Sequence, residues 1–226
     1  MQPFKALLIE GTSGAGKSTL IDALLRRHIE SRTPRKIRSL THLAQSHTYG
    51  PLVAAEDDGT LTVAQNLAHL DRIITHLEWL HSSVQEHDRP WSFAVIDTLH
   101  LTHCARPGVV GWQDLTTIDS RLASLGCKLV FLAASADALW SRGILPRRNE
   151  QFILDYARKF GATLEAIHEY FVREQQALRD LFEQSAMPKL LLDANSPIES
   201  LVEKSYAFWV SDSPAENEPH DNLNPA

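Results

Sequence analysis

Residues 11–18 read Gly-Thr-Ser-Gly-Ala-Gly-Lys-Ser. An apolar run, Phe4–Ile9, leads into them, and a helix-like run, Thr19-Leu20-Ile21-Asp22-Ala23-Leu24-Leu25, leads out. The spacing GxxxxGK[ST], set between a strand and a helix, specifies a phosphate-binding loop. Gly11, Gly14 and Gly16 let the backbone turn tightly and bring its N–H groups against phosphate oxygens. The start of the following helix adds unpaired N–H groups facing the same anion. Lys17 supplies a mobile positive charge for the β- and γ-phosphates, and the Ser18 hydroxyl supplies a ligand for Mg2+. Thr12, Ser13, Ala15 and Thr19 complete the segment expected to hold the nucleotide. The loop therefore constrains the chain to a nucleoside triphosphate with magnesium, and to an α/β fold that can present such a loop.

Composition narrows the partners. The chain has 226 residues, enough for one large domain with a substantial core. Net charge is −6, from 22 basic and 28 acidic residues, so no general affinity for nucleic acid is expected. Phosphate binding must then be local. The two cysteines, Cys104 and Cys127, form no metal-like pair and suit a reducing cytoplasm rather than a disulfide scaffold. No apolar run approaches membrane-spanning length, and with Lys5 and the first strand directly behind it no secretory leader is expected.

Five short apolar runs read as strands: Phe4–Ile9, Lys36–Leu40, Trp91–Ile96, Lys128–Ala133 and Lys189–Leu192. Several are apolar at successive positions, as strands buried on both faces must be. Helical patterns lie between them. The first runs from Ser18 to about Ile29. The second carries Val63, Leu67, Leu70, Ile74, Leu77, Leu80 and Val84 at three- and four-residue steps, with Thr62 and Gln65 as a capping box. A third follows Trp112 and stops at Gly126, and a fourth spans Asp137–Arg142. About 35 further residues carry a stripe of Leu164, Ile167, Phe171, Leu178 and Leu181, broken by Gly161. A last helix covers Ile198–Val210. Alternation of this kind predicts a three-layer α/β architecture, the P-loop NTPase fold with a five-stranded parallel sheet, over residues 1–210. The tail, 211–226, is rich in Asp, Glu, Asn and Pro and is expected to be disordered.

Triphosphate loops serve switches, transporters and kinases. A guanine-nucleotide switch needs DxxG after a strand and NKxD near the end of the sheet. Here the strand ends Asp97-Thr98-Leu99-His100, and the later segment reads Asp193-Ala194-Asn195-Ser196. A transporter ATPase needs a signature motif and more chain. The kinase branch remains. Ile9–Leu20, IEGTSGAGKSTL, resembles the EGxDGAGKSTL opening of thymidylate kinases and the related deoxynucleoside kinases. The likeness extends in outline to the strand ending in Asp97 and to an arginine-bearing segment after the fourth strand. It implies ATP as donor, Mg2+ as cofactor, a small-molecule acceptor, and a homodimer as the assembly common among related kinases. The chain departs from that family at three places: Ser13 replaces the loop's acidic residue, Thr98 replaces the arginine after Asp97, and no Glu-Pro follows the second strand.

The remaining candidates follow from position. Asp97, at the carboxyl edge of the sheet, is expected to support the metal or accept a proton. Arg142, Arg147 and Arg148 are expected in a lid over about 142–150, with Gly143 as its hinge, placing guanidinium forks on phosphate oxygens. Arg142 and Arg147 are thus read as catalytic with Lys17 and Asp97. His100 and Arg106 leave the same edge and are read as acceptor contacts; a zinc site at His100, His103 and Cys104 lacks a second ligand cluster. Tyr49 is either an aromatic lip for a base or a packed loop residue. Trp79, Trp112, Trp140 and Trp209 are read as core or interface anchors. Three acceptor readings stay open: a nucleotide, which needs cationic clamps; a nucleoside, sugar or antibiotic hydroxyl, which needs a base; and none, in a non-catalytic ATP-binding regulator.

Overall fold

A computed structural model describes residues 4–31, 38–86, 91–147, 149, 151, 160–161 and 163–211. Five strands form one parallel sheet: β1 (Phe4–Glu10), β2 (Arg38–Leu43), β3 (Trp91–Asp97), β4 (Lys128–Ala133) and β5 (Lys189–Asp193), in the order β2-β3-β1-β4-β5. The loop-bearing strand is thus central, and every residue of it is buried. Helices α1 (Lys17–Glu30), α4 (Val63–Glu86), α6 (Trp112–Ser124), α8 (Leu164–Gln184) and α9 (Ile198–Val210) cover the sheet. Short helices α2 (Gln45–Thr48), α3 (Val53–Asp57), α5 (His100–Ala105) and α7 (Ala136–Ala138) fill the connections.

Strand pleating divides the core in two. Phe4, Ala6 and Leu8 point to one face and pack with Leu70, Ile74 and Leu77 of α4 and with Leu115 and Leu122 of α6. Leu7 and Ile9 point to the other and pack with Leu20 and Leu24 of α1 and with Phe208 and Trp209 of α9. The result is the three-layer P-loop NTPase fold that the alternating pattern predicts.

Local signals act where they were read. Gln65 N donates to Thr62 Oγ1 at 3.2 Å and Thr62 N to Gln65 Oε1 at 2.9 Å, the reciprocal capping box opening α4. Gly126 ends α6 with φ 73°. At Gly161, φ is 121° and an added Cβ would sit 2.6 Å from the Ala166 Cβ, so the chain breaks there and α8 starts afresh at the Thr163 cap. Residues 36–37 of the expected second strand, 152–159 of the long helical pattern and the tail 212–226 lie outside the described residues.

Two open readings are narrowed and one expectation is corrected. Trp79 is 61% exposed and anchors no core, because it falls off the stripe set by Leu70, Ile74 and Leu77. Tyr49 is 2% exposed and donates its hydroxyl to Glu56 Oε2 at 2.7 Å, so of its two readings the packed one holds. The helix expected over Asp137–Arg142 runs on as a π-helical turn, Leu139–Ile144, then a 3-10 turn, Leu145–Arg147. Among the described residues no helix is long and apolar enough to cross a membrane.

Candidate functional site

The register places three strand ends together. Ile9 pairs with Asp97 of β3, and Glu10 pairs with Phe131 of β4, so the phosphate loop leaves the sheet between them. Glu10 is fully buried. Its carboxylate accepts from Leu99 N (2.8 Å), Leu101 N (3.2 Å) and Thr102 Oγ1 (2.7 Å), and burial pushes its pKa up against these bonds. Thr98 N donates to Ile9 O at 3.0 Å. These bonds tie the β3–α5 turn to the base of the loop. Thr98 adopts φ 63°, a left-handed conformation costly for a β-branched residue, directly beside Asp97.

Ser13 to Thr19 line a cleft of ≈ 580 Å³. That volume suits a nucleotide-sized ligand. Gln45 and Arg106 form its wall on the β2–β3 side. Leu132, Arg142, Ala194, Ile198 and Leu201 form the wall on the β4–β5 side. The cleft therefore has a backbone cradle in the middle, a wall with apolar Leu132, Ile198 and Leu201 beside Arg142 at one end, and a polar wall at the other. The first turn of α1, a 14-residue helix, opens onto the cradle and contributes its orphan N–H groups.

Lys17 is 8% exposed and donates Nζ to Gly11 O at 2.8 Å and Thr12 O at 3.3 Å. Burial holds its pKa below the ordinary lysine range; Asp97 opposes that shift and Arg106 adds to it. The lysine thus stands among Asp97, Arg106, Glu174 and Glu10, whose charges all reach it. Asp97 is 7% exposed, accepts from Thr98 Oγ1 at 3.0 Å, and does not itself line the cleft. Ser18 is exposed at the cleft surface. A serine hydroxyl and a carboxylate are hard oxygen donors, so Ser18 and Asp97 fit Mg2+, which takes few protein ligands and keeps substrate phosphates and waters for the rest. No group of three or more His, Cys, Asp or Glu that could hold a metal occurs among the described residues.

Gly11 and Thr12 sit beneath the cleft rather than on its surface. Thr12 is fully buried, and its hydroxyl donates to Glu174 Oε2. Arg106 donates Nε to Glu174 Oε1. Burial works against the Arg106 charge, but Glu174 outweighs it and raises the pKa. The Arg106 guanidinium also lies 5.6 Å from the Tyr49 ring centroid. Glu174 escaped the sequence reading. Its signal was a carboxylate on the apolar stripe of α8, three residues after Phe171 and four before Leu178, where only a paired charge is tolerated.

Arg142 is on the β4–β5 wall, donating Nη1 to Ala194 O at 2.9 Å and Nη2 to Asn195 Oδ1 at 2.7 Å. The segment that lacks the guanine-reading motif is therefore a cleft wall all the same. Gly143 is buried against the loop tip: a Cβ on Gly14 would come within 2.6 Å of the Gly143 Cα. Gly143 thus allows a close approach of two backbones. The backbone of Arg147 closes the 3-10 turn; its side chain, and all of Arg148, lie outside the described residues.

His100 does not reach the cleft. It is fully buried, and its Nε2 donates to Asp119 Oδ1 at 2.9 Å; Asp119 in turn accepts from Ser185 Oγ and Ala186 N. That chain of bonds joins α5, α6 and the α8–β5 connection. The acceptor contact read at His100 is thus replaced by a structural one, leaving Arg106 as the group from this edge that enters the cleft.

No family model and no curated protein matches the chain. Among solved structures it is similar to the YorR protein of Bacillus subtilis in complex with phosphorylated GDP, with TM-score 0.55 and 11% identity over 88% of this chain and 92% of that one. It is also similar to deoxyadenosine kinase from M. mycoides with products dCMP and dCDP bound, with TM-score 0.43 and 15% identity over 88% and 95% of the two chains. At this identity the likeness to YorR speaks to the shared fold.

Proposed function

We propose that the chain is an ATP-dependent phosphotransferase that moves the γ-phosphoryl group to a small-molecule acceptor, a nucleotide or nucleoside, as the resemblance to thymidylate and deoxynucleoside kinases implies. One observation carries this reading. The cleft joins a phosphate cradle centred on Lys17 to a mixed wall on one side, where Leu132, Ile198 and Leu201 stand with Arg142 and Ser196, and to a polar wall of Gln45 and Arg106 on the other. Two unlike walls of this kind give a donor and an acceptor different surfaces to rest on. A deposit for one hydrolysed triphosphate would need no second flank.

The residues divide the work. Backbone N–H groups of Ser13–Thr19 and the Lys17 ammonium bind and orient the donor phosphates. Leu132, Ile198 and Leu201 offer apolar surface for its base, beside the Arg142 guanidinium. Ser18 and Asp97 would hold Mg2+, which when bound neutralises charge on the β- and γ-phosphates. The Asp97 charge also opposes the burial that lowers the Lys17 pKa. Arg142 and Arg147 are proposed to neutralise charge as it moves to the leaving group. The protein is proposed to work in the cytoplasm, free of nucleic acid and membrane, as a homodimer.

Product analysis tests the reading. With labelled ATP and a panel of nucleosides and nucleotides, label should move to an acceptor. Release to water at one rate, whatever is added, would leave only an ATP-binding regulator. Lys17→Ala should abolish Mg-ATP binding heat, an affinity loss of roughly 100-fold or more for a charged phosphate contact in a buried site. An unchanged titration would remove the donor site from the account.

A further inference from the structure

The polar flank says what kind of acceptor fits, provided the donor reading above holds. A guanidinium has five N–H donors in a planar fork. Arg106 uses Nε on Glu174, a side chain only 1% exposed, and among the described residues its two Nη groups have no hydrogen-bond partner. The Arg106 side chain is 18% exposed, and that exposure is to the cleft it lines. A mostly buried cation with its paired end inward and its fork outward is built to meet an anion. Strand order puts that fork on the β2–β3 side of the loop, opposite the mixed wall at β4–β5. It lies past the phosphate end of a donor whose base rests on Ile198 and Leu201.

We infer that Arg106 anchors a phosphate carried by the acceptor, so that the acceptor is a nucleotide or another phosphate monoester, and that Glu174 is the positioning residue that sets the fork. Glu174 binds the phosphate loop as well, through the Thr12 hydroxyl. One carboxylate therefore fixes the acceptor-side cation relative to the donor cradle, which is what in-line transfer between two phosphates requires. Among the described residues a hydroxyl acceptor would meet no free base on this flank: Gln45 is the other lining group there, His100 is turned away into the Asp119 pair, Asp97 does not line the cleft, and the Glu174 carboxylate is held by Thr12 and Arg106.

The test needs no knowledge of the acceptor's base. Adenosine 5′-tetraphosphate carries one phosphate beyond ATP, at the place of an acceptor phosphate. Wild-type protein should bind it roughly tenfold or more tightly than ATP, the scale of a charged hydrogen-bonded contact. Arg106→Ala should erase that ratio, read within the variant as tetraphosphate against ATP so that any general change at the loop cancels. Glu174→Gln should shrink the ratio while its thermal midpoint, checked separately, shows a folded protein. Arg106→Lys should restore only part of it, because an ammonium lacks the fork. Equal affinity of wild type for the two ligands would overturn the inference. So would an Arg106→Ala variant that loses ATP as strongly as tetraphosphate, since Arg106 would then belong to the donor. Failure of wild type to bind ATP at all would instead sink the donor reading on which this rests.

Discussion

His103 shows how a single side chain fixes the edge of the site. It is fully buried, with Nε2 2.9 Å from Thr48 O and Nδ1 2.6 Å from the Asn66 side-chain amide. Burial pushes its pKa down to about 3, with His69 and His100 adding to the shift and the Thr48 bond opposing it. A neutral ring that donates Nε2–H to Thr48 must accept at Nδ1, so Asn66 presents its amide nitrogen there. The linkage sign follows. The folded pKa lies below the unfolded value, so the folded state binds fewer protons between them. The full contribution is present above about pH 6.5 and is lost as pH falls towards 3, at up to about 1.4 kcal/mol per pH unit. Urea unfolding at pH 7, 5.5 and 4.5 should therefore show an acid loss that is smaller in His103→Gln. An identical acid slope in the two proteins would mean that His103 is not the group responsible. The neighbouring Tyr49 phenol is pushed above its ordinary range, by burial first and Glu56 next, so it stays neutral throughout.

Between elements, the π-helical turn after α7 matters most. It carries Gly143 onto the tip of the phosphate loop, with the Gly14 and Gly143 backbones in direct contact. A methyl on Gly143 would lie 3.3 Å from the Gly14 Cα and 3.5 Å from Ser13 O, tight enough that one backbone must give. Gly143→Ala should then weaken Mg-ATP roughly 3- to 30-fold, a cost of about 1–2 kcal/mol from moving loop N–H groups off their positions. Calorimetric titration measures it, and an affinity equal to wild type would show the loop to be independent of this turn. The same region marks where sequence reading stops. Lys128–Ala133 and Ile198–Val210 match their expected spans because apolar continuity and periodicity define them. The expected second strand, Lys36–Leu40, ends three residues early. β2 is an edge strand, and Thr41-His42-Leu43 offers no apolar run to signal its continuation. The π turn and Gly143 are set by contact across the fold, so no local pattern announces them. The loop residues 13–19 were legible at once, since their chemistry is contiguous. Glu174 was not, because its partners Thr12 and Arg106 are brought to it only by packing α8 on the sheet.

Across the whole molecule, the neighbouring strands β1 and β4 are each tied to the last helix by a lysine. Lys128 Nζ donates to Phe208 O (2.6 Å), Ser211 O (2.9 Å) and Ser211 Oγ (2.6 Å). Lys5 Nζ donates to Val210 O and, at 3.3 Å, to Ser211 O. Trp209 Nε1 donates back to Lys5 O at 3.0 Å. These ammonium groups answer the carbonyls that a helix leaves unpaired at its C-terminus, and they carry the charge sign that its dipole favours there. Both lysines sit on buried strands, where a charge is tolerated only with partners of this kind. Lys128→Met keeps the apolar stem and removes the donors. It should cost about 1–3 kcal/mol, through carbonyls left unsatisfied, and lower the thermal midpoint by roughly 2–10 °C. The cleft uses Ile198 and Leu201, at the other end of α9. ATP affinity should accordingly stay within about twofold, and saturating ATP at about 100 times its Kd should still add about 2.7 kcal/mol to the variant, as it does to wild type. Loss of ATP affinity in step with the midpoint would show that the far end of α9 holds the cleft wall in place, making helix docking and nucleotide binding one cooperative unit.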